Sequence, residues 1–102
     1  MSEFSIMQRE KQSYFSGRTD GLEKHHIYFG NPLRKLSDQY GCWVWLTSQE
    51  HRENDGPHMN RETDLKLKRG CQQEFESLYG HEKFMSVFGR NYLDGDKDDR
   101  TV

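Results

Sequence analysis

The sequence predicts an α+β domain, a small sheet with a helical layer on one side. Three observations carry this reading. The run Cys42-Trp43-Val44-Trp45-Leu46 is short and rich in strand formers. The stretch from Asn60 to Tyr79 spaces Leu67, Cys71, Phe75 and Leu78 by four, four and three, which is one face of a long helix. Gly30, Gly41, Gly80 and Gly89 fall where elements should end.

The elements follow in order. Residues 1–12 are polar, with scattered Phe4, Ile6 and Met7, and read as a flexible N-terminal arm. Ser13-Tyr14-Phe15-Ser16 reads as a short strand, and residues 17–21 are dense in turn formers. His25 to Phe29 is a second strand candidate of aromatic and β-branched types. Asn31 is placed to cap a helix and Pro32 suits its first position. Leu33, Leu36 and Tyr40 then define a short amphipathic helix over residues 32–40, closed by Gly41. After the strand 42–46, Thr47-Ser48 can cap a short helix over residues 49–54, which Asp55-Gly56-Pro57 must interrupt. The long helix ends at Gly80, and a last helix from His81 to Phe88 presents Phe84, Val87 and Phe88 on one face.

Composition narrows the function classes. Of 102 residues, 31% are hydrophobic, which is low, and 31% are charged. Such a chain has little material for a core, so a metal or a partner would help to stabilise it. The aromatic share of 13% argues against full disorder. Fifteen Lys/Arg face seventeen Asp/Glu, and the final nine residues, DGDKDDRTV, hold two of the cations and four of the acids. Residues 1–93 are therefore neutral, and 94–102 read as a disordered acidic tail. The folded domain is expected over 13–93. No apolar run approaches membrane length, and the opening MSEFSIMQREKQ has no secretory character, so the expected compartment is cytoplasm. Cys42 and Cys71, without paired spacing, read as small buried hydrophobes rather than as a disulfide or a zinc site.

Histidine carries the chemistry. Four of the five histidines, His25, His26, His51 and His58, fall within one stretch, and His81 reads as structural or exposed. Adjacent residues on a strand point to opposite faces, so either one of His25 and His26 faces a metal and the other a substrate, or both are strained around one site at the strand end. His51 follows the main strand, and His58 follows the Gly56-Pro57 break that turns the chain back. Imidazole is the commonest metal ligand and also a base near neutral pH. Three rings around one divalent ion, with one ring kept as base, would suffice for phosphodiester hydrolysis. The alternative is ordinary exposed histidines and a loop His58. HExxH, Walker A, GxSxG and paired-Cys motifs are all absent from the sequence.

The segments LEKHHI, FGN-x-x-RK, GCWVWL, EHR and GPHMNRE-x-DLKLK resemble small phage-encoded proteins of the HNH nuclease and recombination class, over about residues 13–92. The resemblance implies a ββα-metal core: two strands and a helix around one ion, here with helix 32–40 inserted and C-terminal helices added. It implies His26 as general base, with His25, His51 and His58 as ligands of Mg, Mn, Ni or Zn. The separation of seven residues from His51 to His58 exceeds the short spacing common in such sites. Asn31 is the candidate for the central Asn that fixes the catalytic loop, and helix capping is its other reading; Asn60 is a second candidate. Arg34, Lys35, Lys66, Lys68 and Arg69 are expected to grip DNA phosphates, or else to be a solvated surface. Trp43 and Trp45 either stack on bases or pack the core against the long helix, and a chain so short of apolar side chains favours packing. The expected activity is metal-dependent DNA endonuclease or nickase. The alternative is a non-catalytic module of the same fold, in which a metal is structural or absent. DNA is the expected partner, with a protein or a second copy of the chain as further partners and no membrane.

Overall fold

A computed structural model describes residues 4–52 and 60–93. His58, the Asp55-Gly56-Pro57 break and the acidic tail lie outside them. Among the described residues the architecture is α+β, with two strands and four helices: β1 (Leu22–His26), α1 (Leu33–Tyr40), β2 (Trp43–Thr47), α2 (Ser48–Arg52), α3 (Arg61–Tyr79) and α4 (His81–Phe88).

The strands are antiparallel, with Leu22 opposite Thr47, His25 opposite Val44 and His26 opposite Trp43. Strand alternation therefore sorts the side chains. His25, Val44 and Leu46 face the core and are at most 1% exposed, whereas Lys24, His26, Trp43 and Trp45 share the other face. β1 starts and ends three residues earlier than the sequence suggests. Ile27 still bonds to Cys42, but the Ser37 hydroxyl then accepts from the Tyr28 amide and donates to its carbonyl, at 3.1 and 2.7 Å. A side chain thus replaces the ladder, and Tyr28 turns into the core. There its ring meets Phe84, Phe88 and Tyr92, and its hydroxyl donates to the Lys68 carbonyl.

Helix α1 begins at Leu33, with Pro32 rather than Asn31 as its cap residue and no capping side chain. Gly41 closes it at φ 74°, where a Cβ would sit 2.8 Å from the Phe4 carbonyl oxygen; both facts require glycine. Helix α2 is only five residues, yet it carries a capping box. The Thr47 hydroxyl accepts from the Glu50 amide, and the Glu50 carboxylate accepts from the Thr47 amide. Helix α3 is capped by Asn60, which accepts from the Thr63 amide at 3.0 Å. Leu67, Cys71 and Phe75 are buried as their spacing implies, but Leu78 is 60% exposed. The core ends a turn earlier, because α4 folds back with Phe84 and Phe88 over Phe75. Val87 is only partly buried.

Two further expectations change. Ser13–Ser16 is a turn, since the Ser13 hydroxyl accepts from the Phe15 and Ser16 amides and its carbonyl from Gly17. Residues 4–12, expected as a flexible arm, lie across β2. Ser5 donates to the Trp43 carbonyl, the Gln8 side chain accepts from the Trp45 amide, and the Ile6 amide donates to Gly41. This arm, and not the long helix, covers the tryptophans: Val44 and Leu46 reach the helical core, and Trp43 and Trp45 point away from it.

Candidate active site

A cleft of about 310 Å³ is lined by Lys24 and His26 of β1, Phe29 and Gly30 of the following turn, Arg34 of α1 and His51 of α2. Three elements thus bring two imidazoles and two cations to one depression.

Each imidazole is oriented by a carboxylate. His26 Nε2 lies 2.9 Å from Asp38 Oδ1. Burial tends to raise the Asp38 carboxyl, but the hydrogen bond to His26 and the Lys24 ammonium hold it below its ordinary value. An ionised carboxylate only accepts, so Nε2 carries the proton and Nδ1 the lone pair. Burial lowers the His26 pKa from its ordinary value, with Asp38 opposing, which keeps the ring neutral near pH 7. On α2, His51 Nδ1 lies 2.8 Å from Glu23 Oε1. Hydrogen bonds from His51 and Ser48 hold Glu23 below the usual carboxylate range, and Arg52 adds a third contact. By the same argument His51 Nδ1 is the donor to Glu23.

His25 sits on the opposite face of β1 from His26, 1% exposed. Its ring centroid is 5.2 Å from that of His51, edge to face, and 6.2 Å from Phe29. His51 therefore links the two adjacent histidines: it packs against one and shares the cleft with the other. Among the described residues no group of three His, Cys, Asp or Glu is arranged to hold a metal. Of the expected ligands His25, His51 and His58, the first two lie among the described residues. His51 Nδ1 is held on a carboxylate, as metal-ligating histidines commonly are.

The remaining candidates separate. Arg34 lines the cleft, and Lys35 is exposed beside it on α1. Lys68 is taken up by the fold, with Nζ 2.8 Å from Asp64 and 4.3 Å from the Phe29 ring centre. Arg69 donates to the Tyr92 carbonyl and, with Lys66, lines a different groove on α3. The five cations thus do not form one patch. Asn31 is exposed and makes no side-chain hydrogen bond among the described residues, and Asn60 is committed to its cap. His81 is exposed and bonds to Glu76. Cys42 and Cys71 are buried thiols, and burial pushes Cys71 up.

Sequence reasoning overlooked Glu23, Lys24 and Asp38. Two of these carried a signal: Glu23 lies two residues before His25 and Lys24 two before His26, so each shares a strand face with one histidine. Asp38 had none, since only the fold of α1 brings it to His26.

Compared with protein-family models, curated proteins and solved structures, the chain matches none. No helix among the described residues is long and apolar enough to cross a membrane.

Proposed function

We propose that the chain is a metal-dependent DNA endonuclease or nickase of the HNH class. The observation that supports it best is the shared cleft of His26 and His51, each ring fixed by a carboxylate, beside Arg34 and Lys24. The antiparallel pair β1–β2 followed directly by α2 fits a ββα-metal core with α1 inserted.

In this reading Arg34 and Lys24 hold the scissile phosphate. Asp38 orients His26, whose Nδ1 takes a proton from the attacking water as the bond from phosphorus to the 3′ oxygen breaks. Glu23 orients His51, which with His25 and His58 would hold the ion. Such an ion supplies positive charge for the phosphate and the leaving oxygen when bound. Imidazole donors suit Zn or Ni better than Mg or Mn.

The test is nicking of supercoiled plasmid by purified protein with each divalent metal, beside His26→Ala. Metal-dependent nicking by the wild type and its loss in the variant are expected; equal nicking by both removes His26 from the mechanism. The burial of His25 favours a second reading, a structural ion in a non-catalytic module that binds DNA or a protein. Metal bound stoichiometrically, with no nicking under any metal, would select it.

A further inference from the structure

A second groove, of about 590 Å³, opens on the sheet face away from the helical core. It is lined by Trp43 and Trp45 of β2 and by Phe4, Gln8, Arg9 and Lys11 of the arm, among others. The two indoles meet edge to face at 5.2 Å. Lys11 lies 4.8 Å from the Trp45 ring centre and Lys24 4.4 Å from that of Trp43. Trp43 Nε1 is buried and finds no acceptor among the described residues.

From this we infer that the groove is a stacking site for the bases of a single nucleic-acid strand that continues out of the cleft. The inference rests on the phosphodiester reading of that cleft and adds the form of substrate it engages. Two facts choose the occupant. The first is continuity: His26 pairs in register with Trp43 and Lys24 with Trp45, so cleft and groove share one sheet face, and Lys24 lines the first while covering a ring of the second. The second is chemistry. The half-buried Trp45 indole, with Lys11 above it and the buried Trp43 ring packed edge to face against it, offers a base a π-surface and a phosphate a counter-charge, and Arg9 and Lys11 outnumber Glu10 on the rim. A duplex keeps its base faces stacked inside and cannot use the indoles.

The chain has only two tryptophans, and both line this groove, so intrinsic tryptophan fluorescence reports on it alone. Titration of the full chain, without added metal, with oligo(dT) should quench the emission. A hairpin duplex of equal charge and poly-glutamate should quench it far less. Trp45→Ala should weaken the binding of dye-labelled oligo(dT) about tenfold, measured by anisotropy. The double variant Arg9→Glu with Lys11→Glu, which changes only exposed arm residues, should weaken it at least as much and keeps the test valid should Trp45→Ala fail to fold. Asp20→Asn, at an exposed carboxylate that lines neither the cleft nor the groove, should bind as the wild type does. Equal quenching by duplex or by poly-glutamate, or no quenching by oligo(dT), overturns the inference. Plasmid nicking is read separately, so a nuclease without single-strand binding and a single-strand binder without nuclease activity are told apart.

Discussion

The two faces of the two-stranded sheet follow the same backbone and end in opposite conditions. Inward, Val44 and Leu46 are buried in one cluster with residues of α3 and α4, and His25 is buried against His51 and Phe29. Outward, Lys24, His26, Trp43 and Trp45 meet an irregular arm and border two grooves. One residue step separates the adjacent histidines, and it gives one ring a packing environment and the other access to a cleft. A short sheet thus gives two adjacent histidines different surroundings by its period of two, with no extra element.

The largest effect that sharpens this contrast is on activity. His26→Ala should lower nicking by about 10²–10⁴-fold while the urea midpoint hardly moves. A midpoint that collapses with the rate would erase the distinction between the faces. Inward, Phe75→Ala should cost about 3–5 kcal/mol by urea unfolding, since its ring is fully buried among Tyr40, Phe84 and Phe88. Outward, Lys24→Ala should cost no more than about 1 kcal/mol, as its ion pair with Asp38 is 3.3 Å long and partly exposed.

Glu23→Gln should lower activity or metal affinity about 10–100-fold by releasing the His51 ring, with Asp20→Asn, an exposed carboxylate paired to Arg18, as the neutral control. Calorimetric metal titration of both variants decides it. Thr47→Ala should cost about 1 kcal/mol through the lost hydroxyl of the capping box.

The smallest effect is on pH. The folded state holds His26 below its ordinary value of 6.5, so between the folded and unfolded values the unfolded chain binds more protons. Thermal stability should therefore fall as pH drops through 6.5, and fall again below 4.5 as Glu23 and Asp38 protonate. The acid limb of the nicking rate should lie below 6.5, and Asp38→Asn should move it lower still, because Asp38 raises the His26 pKa. A limb above 6.5 would mean that His26 is not the base.

Much of the frame was legible. Gly41, Gly80 and Gly89 ended helices where expected, the core spacing of α3 held from Leu67 to Phe75, and Cys42 and Cys71 were buried. What escaped was set by contacts distant in sequence. Ser37 cut β1 short by bonding both backbone groups of Tyr28, and Ser13 turned a strand-like run into a loop through its own hydroxyl. Gln72 reads as polar surface on α3, yet it is fully buried, bonded to Glu76, Asn91 and the Tyr92 amide, and so draws Tyr92 into the core. At the site, His25 and His51 were expected together as ligands implied by a resemblance, and their rings are found packed edge to face. The carboxylates that fix the rings depended on register and on where α1 came to rest.

The Ser13 hydroxyl also reaches Glu50 Oε1 at 2.5 Å, the same oxygen that closes the capping box of α2. The five-residue helix that presents His51 is therefore moored to a serine far upstream that lines neither the cleft nor the groove. Trimming the chain past that serine, or replacing it by alanine, should slacken the cleft from a distance, so a shortened or fused N-terminus is a hidden variable in any assay of this protein.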